Sequence, residues 1–226
     1  MSSVGDSSQW DDLFEQELIP KILALVLAAW DQLPTLAEDE YEDTVTNKLY
    51  AAMKNGKDRQ RHPFLIQLQN AEFHSATETI VGWKDIVFYP SHDEEIYFCL
   101  EAKRLNAIVS GKSASLASEY VSKGMQRFVD RKYSPHVRHG GMLGYVLDGD
   151  IARAIKNVAN CIRLHEANLR KHSPGELRPS MIRPQDDNAK ESHHRREQET
   201  VVFHLQHLFV ASNPASNQQR VTGRSV

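Results

Sequence analysis

Residues 83–89 (WKDIVFY), 90–94 (PSHDE) and 95–103 (EIYFCLEAK) decide how this chain folds. Two runs rich in Ile, Val, Phe and Tyr, separated by five turn-type residues, spell a β-hairpin. Side chains alternate along a strand, so Tyr97, Cys99, Glu101 and Lys103 share one face, and Ile96, Phe98, Leu100 and Ala102 form the opposite, core-facing row. A short hairpin pairs the start of its first strand with the end of its second. Asp85 therefore lies near Glu101, and two carboxylates and an ammonium meet at the open end of a sheet.

Upstream, Trp10, Leu13, Phe14, Leu18, Ile22, Leu25, Val26 and Trp30 follow helical spacing, as one long helix or two turning at Pro20. The run 22–29 is apolar nearly all round, which demands cover from this chain or from a partner. A second helix is expected over 38–53, with acidic residues crowding its first turn and Tyr41, Val45, Leu49 and Ala52 inward. Residues 64–69 (FLIQLQ) read as a strand, followed by a polar connection to Thr79. Downstream come a helix over 113–130, a strand over 141–147, a helix over 150–169, a long polar loop over 171–199 and a last strand over 200–210. The order predicts a mixed α/β domain over 37–211, with a helical extension over 1–36 and a mobile polar tail over 212–226.

The chain has 226 residues, enough to bury a sizeable core without disulfide or metal staples. Its two cysteines form neither a disulfide framework nor a four-ligand zinc site. The longest apolar run is about half of what a membrane span needs, and the acidic start does not resemble a secretory signal, so a cytoplasmic protein is expected. A net charge of −3 exerts no general pull on nucleic acid. The charge is segregated, however. Residues 1–46 carry eleven acidic residues and one lysine, whereas 103–140 carry eight basic residues against two acidic ones. A basic stretch directly after the hairpin suits contact with phosphates, and a solvated helix face explains it equally well.

The hairpin cluster suits metal-assisted phosphodiester hydrolysis. Two carboxylates hold a hard cation that keeps several waters and takes a phosphate oxygen, and the ammonium orients water or stabilises charge. A Glu-x-Lys tripeptide alone carries no weight, because a chain of this length shows about one by chance at typical residue usage. A decoy with similar spacing, Asp130-Arg131-Lys132, falls at a helix end with no apolar strand before it. Other look-alikes fail on spacing. Ser110-Gly111-Lys112-Ser113 imitates the end of a phosphate-binding loop, but Asn106 stands where its first glycine belongs. Residues 140–144 (GGMLG) precede a strand rather than opening a helix, so a dinucleotide fingerprint is absent. His204 and His207 fall on opposite faces of a strand, His193 and His194 sit in the polar loop, and Cys99 is a strand residue rather than a nucleophile.

Asp85, fifteen intervening residues and Glu101-Ala102-Lys103 resemble the motif of the PD-(D/E)XK superfamily of metal-dependent nucleases, which includes restriction enzymes, repair nucleases and phage-defence proteins. Gly82-Trp83-Lys84-Asp85-Ile86 is similar to its first motif strand, and Glu42-Asp43-Thr44-Val45-Thr46 to its preceding acidic helix. Residues 120–128 with Tyr133, and Gly144-Tyr145-Val146, are similar to a helix and strand of uncharacterised members. The resemblance spans about 38–150. The proline of the family name is missing, and Trp83 stands where many relatives carry arginine. The resemblance implies a restriction-endonuclease-like mixed sheet flanked by helices, with Mg²⁺ or Mn²⁺ at Asp85 and Glu101, Lys103 in catalysis and Glu42 as a further metal or water ligand. It also implies DNA as partner, RNA remaining open, with Arg104, Lys112, Lys123 and Arg127 as candidate nucleic-acid contacts. A defence-type effector that meets a second copy or a complex partner through its N-terminal helices fits this reading. A non-catalytic scaffold of the same fold is the alternative.

Overall fold

The computed structural model describes residues 14, 16–56, 62–74, 79–90, 95–172, 177–197, 199 and 201–211. The expected frayed start over 1–9, Trp10 and Leu13 of the first helix, and the tail over 212–226 lie outside the described residues. In chain order the elements are α1 (Leu18–Trp30), α2 (Glu42–Asn55), β1 (Leu65–His74), β2 (Thr79–Tyr89), β3 (Phe98–Leu105), β4 (Ala107–Val109) and β5 (Lys112–Ala114). Then come α3 (Ala117–Glu119), a π-helical segment (Tyr120–Met125), α4 (Gln126–Val129), β6 (His139–Val146), α5 (Ile151–Leu164), β7 (Arg178–Pro179), β8 (Ala189–Arg195) and β9 (Val202–Ala211).

Seven strands form one mixed sheet in the order β1-β2-β3-β6-β9-β8-β7, and β4–β5 make a separate small hairpin. β3, β6 and β9 run parallel at the centre, with antiparallel neighbours on both sides. Parallel strands are buried on both faces, and every residue of β6 is buried accordingly. One face packs α1 and α2 against Phe98, Leu100, Ala102, Leu143 and Tyr145. The other packs segment 117–129 and α5 against Cys99, Leu105, Met142 and Phe209. The alternation expected along β3 is thus realised, except that both of its faces are core.

α1 is cover for the sheet. Leu18, Ile19, Ile22, Leu23, Val26, Ala29 and Trp30 are all buried within this chain. Pro20 sits in its first turn, where a missing N–H costs nothing, so α1 runs through it unbroken. Trp30 stacks on Tyr145, with ring centroids 5.2 Å apart, and its indole N–H donates to the carbonyl of Ala211 at 2.7 Å.

Several boundaries differ from expectation for physical reasons. α2 starts at Glu42, not Glu38, because the carbonyls that would begin an earlier helix are used elsewhere: Glu38 O accepts from Ile108 N at 2.8 Å and Glu40 O from the Arg104 guanidinium at 2.8 Å. The stretch after Gln69 is mostly strand rather than polar connection, since β1 continues to His74 and pairs with β2 down to Thr79. The helix expected over 150–169 stops at Leu164. The expected loop over 171–199 contains β7 and β8, so His193 and His194 lie in the sheet. β8 (AKESHHR) has no apolar period, because hydrogen bonds rather than hydrocarbon satisfy its buried side chains.

Candidate active site

The β2–β3 ladder pairs Phe88 with Phe98, Val87 with Cys99 and Ile86 with Leu100, and goes no further. Upstream of Ile86, β2 pairs only with β1, while β3 runs on to Leu105 with β6 along its other edge. The two motif strands therefore fork at Asp85. Opposite the fork in β1, Gln69 takes a left-handed backbone (φ 47°), between the pairs Leu68–Ile86 and Asn70–Lys84. Asp85 Oδ2 accepts from the backbone N–H of Ala102 at 2.7 Å, replacing the strand partner that Ala102 lacks on that side.

Glu101 is fully buried, at 0% exposure, on the same face of β3 as Lys103. Its Oε1 takes two cations, Lys103 Nζ at 2.9 Å and Arg127 at 2.8 Å. Its Oε2 is buried with no hydrogen-bond partner. Lys103 Nζ also donates to Glu42 Oε1 at 2.8 Å and to the carbonyl of Ala102 at 2.6 Å. The other oxygen of Glu42 accepts from the backbone N–H of Arg104 at 3.0 Å. The turn carrying Glu42 is fixed from behind. Thr46 Oγ1 donates to the Glu42 carbonyl at 3.0 Å and lies 3.0 Å from the hydroxyl of Tyr145, the ring on which Trp30 stacks.

Arg127 extends the cluster across the fork. Its guanidinium donates to the Tyr133 hydroxyl at 2.6 Å, and that hydroxyl donates in turn to the carbonyl of Trp83. Gly82 makes room for this ring, because a Cβ at that position would stand 2.9 Å from the Tyr133 ring. The glycine of the first motif strand is thus required by a close approach. On the far side, Gly124 in the π-helical segment lets that segment lie against Met142 and the Lys103 stem.

Burial raises the carboxyl pKa of Asp85 to about 7, reinforced by Glu101 and opposed by Lys103 and the Ala102 N–H. Burial likewise lifts Glu101 above its ordinary 4.5, against the pull of Lys103 and Arg127. For Lys103, burial acts downward, but Glu101, Glu42 and Asp85 outweigh it and hold the ammonium above 10.5, so it stays charged at neutral pH. Burial pushes the Cys99 thiol well up, which keeps it from serving as a thiolate.

The sequence-predicted residues Glu42, Asp85, Glu101 and Lys103 come together in this one cluster, joined directly by Arg127 and flanked by Arg104. Arg127, expected on phosphate, rests on Glu101, and its side chain is 36% exposed. Arg104 lies over the ring of exposed Tyr41 at 5.9 Å. Lys123 is an exposed i,i+4 partner of Glu119 at 3.3 Å, and Lys112 is exposed in the β4–β5 hairpin. Arg131 pairs with Glu199 at 3.3 Å. Much of the basic stretch is therefore matched by carboxylates within the chain.

Sequence reasoning missed Tyr133 as the holder of Arg127, and a second buried ion pair beside the first. Lys84 pairs with Glu72, which also accepts from the Tyr97 hydroxyl at 2.8 Å, while the ammonium lies 4.2 Å from the Tyr97 ring centre.

Among the described residues no three carboxylate, imidazole or thiol side chains form a ready-made metal cage. The donor set still fits Mg²⁺ or Mn²⁺. These hard cations bind one or two carboxylates and complete their shell with water and phosphate oxygens. Asp85 and Glu101 are such a pair, and Glu101 Oε2 is a buried acceptor without a donor. No family model, curated protein or solved structure matches the chain. None of the described helices is long and apolar enough to cross a membrane.

Proposed function

We propose that the protein is a metal-dependent nuclease of the PD-(D/E)XK type, with a restriction-endonuclease-like fold, that hydrolyses phosphodiester bonds of DNA as a restriction- or defence-type effector. The observation that carries this reading is the cluster at the fork: two adjoining carboxylates, one with a buried oxygen lacking a donor, beside an ammonium held charged. Asp85 and Glu101 would hold the cation, with Glu42 as auxiliary acid. A bound divalent cation polarises the phosphorus centre and lowers the pKa of its water. Lys103, held charged by Glu101, Glu42 and Asp85, would supply a fixed positive charge that orients water and stabilises the oxyanion that develops.

The test is cleavage of plasmid DNA, single-stranded DNA and RNA with Mg²⁺, Mn²⁺ or EDTA, by wild type and by Lys103→Ala. The proposal expects cleavage that EDTA abolishes and that Lys103→Ala lowers at least about 100-fold. Cleavage unaffected by either would exclude this centre, and cleavage of RNA alone would change the substrate. A second reading is a non-catalytic member of the same fold, and the ion pairs that close Lys103 and Arg127 onto Glu42 and Glu101 favour it. Such a subunit would cleave nothing, and its nucleic-acid affinity would survive chelation.

A further inference from the structure

Beyond Ile86 and Leu100 no ladder bond holds β2 to β3, yet the two candidate metal ligands sit on opposite prongs of this fork. Among the described residues two bridges cross it. One is the Asp85 bond to Ala102 N. The other runs from the Trp83 carbonyl on β2 through the Tyr133 hydroxyl and the Arg127 guanidinium to Glu101 Oε1 on β3. We propose that Arg127, held by Tyr133, is a positioning residue that fixes the Glu101 carboxylate for a divalent cation, rather than a phosphate-binding residue. This rests on the metal-site reading above.

The geometry gives the bridge a direction. Arg127 and Lys103 both occupy Oε1, so the carboxylate is pinned by one oxygen and the other is left as the ligand atom. Lys103 cannot do this alone, because its ammonium is shared with Glu42 and Ala102 O and belongs to the same strand as Glu101. Among the described residues, Arg127 is the one side chain that ties Glu101 to the opposite prong. Tyr133 is itself seated by van der Waals contact, edge-on to Phe128 at 5.6 Å and against Gly82. A carboxylate ligand oriented by a hydrogen-bonded partner in this way typically loses 10–100-fold in metal affinity when the partner is removed.

The experiment uses the full-length protein without nucleic acid. Mn²⁺ binding is followed by electron paramagnetic resonance for wild type, Tyr133→Phe, Arg127→Gln and Arg127→Lys. Amide hydrogen exchange of Ala102 is followed alongside. Tyr133→Phe removes one hydroxyl and keeps the ring, so thermal unfolding and far-UV circular dichroism show whether packing survives. The proposal expects Mn²⁺ affinity to fall roughly 10-fold or more in Tyr133→Phe and Arg127→Gln. Arg127→Lys should fall between, since it keeps a cation with several N–H donors but not the rigid planar group that now places Nη1 against both Glu101 and Tyr133. Ala102 N–H should exchange faster in all three variants, with Gly144 of the β3–β6 ladder unchanged. Equal Mn²⁺ affinity and equal exchange in wild type and variants would overturn the positioning role and leave the metal site standing. Arg127→Gln weakening DNA binding without moving Mn²⁺ affinity would assign Arg127 to phosphate and overturn it too. No Mn²⁺ binding by wild type would overturn the metal reading itself, and this inference with it.

Discussion

Asp85 is the residue on which the cluster's pH behaviour turns. Its carboxyl, raised from 3.8 to about 7, prefers the proton in the folded state. Its contribution to stability is therefore intact below pH 3.8 and is lost as the pH rises through 7. Asp85→Asn keeps an oxygen for the Ala102 N–H and removes the charge. In metal-free buffer it should stabilise the protein at pH 8 by about 1–3 kcal/mol and change little at pH 3.5, as read by urea unfolding. An equal effect at both pH values would mean that the charge is not the cause.

His194 and His207 show the opposite sign. The Leu169 carbonyl can only accept, so the short contact from His194 Nδ1 at 2.7 Å puts the proton there. Its Nε2 then accepts from Ser192, whose oxygen accepts from His207 Nε2, whose Nδ1 accepts from the Tyr120 hydroxyl. With both imidazoles neutral this buried chain closes with every donor facing an acceptor. Burial lowers His194 to about 4 and His207 well below 6.5. The stability they carry is full above pH 6.5 and lost as the pH falls through 4. Two imidazole C–H resonances should therefore stay fixed between pH 8 and 5. Ser192→Ala, which strands a donor and an acceptor in the interior, should cost about 2–3 kcal/mol.

At the scale of elements, the hairpin was legible because it obeys simple rules: β-branched and aromatic runs, turn residues between them, and a period of two. That pattern placed Asp85 near Glu101 and put Lys103 on the same face as Glu101. The fork was not legible, since it depends on where β2 leaves β3 and on a left-handed Gln69, neither of which leaves a periodic trace. β8 was missed because its inward residues Glu191, Ser192 and His194 are satisfied by hydrogen bonds, so no apolar alternation announces a strand. Arg127 was legible as a cation but not as the partner of Glu101, which lies 26 residues upstream. Gly82 carries a prediction of its own. Gly82→Ala drives a methyl into the rigid Tyr133 ring and should cost about 1–3 kcal/mol while loosening Arg127. Wild-type stability with an undisturbed Tyr133 environment in near-ultraviolet circular dichroism would show that the close approach is not needed.

For the molecule as a whole, charge was legible as composition and misleading as a surface. The basic stretch over 103–140 spends Lys103, Arg127 and Arg131 on Glu42, Glu101 and Glu199, and Lys123 on Glu119. If the protein binds DNA through this stretch, log K should fall with log salt on a slope shallower than about −4, since four of its eight cations are already paired with carboxylates. Fluorescence anisotropy between 50 and 200 mM salt reads this directly, and a slope near −8 would point to a basic surface that the internal pairing does not leave.

The bond from Trp30 to the Ala211 carbonyl joins the first described helix to the last strand, 181 residues apart, and β9 lies inside the sheet against β6. Every residue of the candidate site has been synthesised long before β9 exists. Yet β6, which walls the site through Met142 and Gly144, has its second neighbour only once β9 arrives. Such non-local closure is slow relative to local helix formation. A chain still on the ribosome thus holds the chemistry without the architecture until β9 has been made and has joined β6.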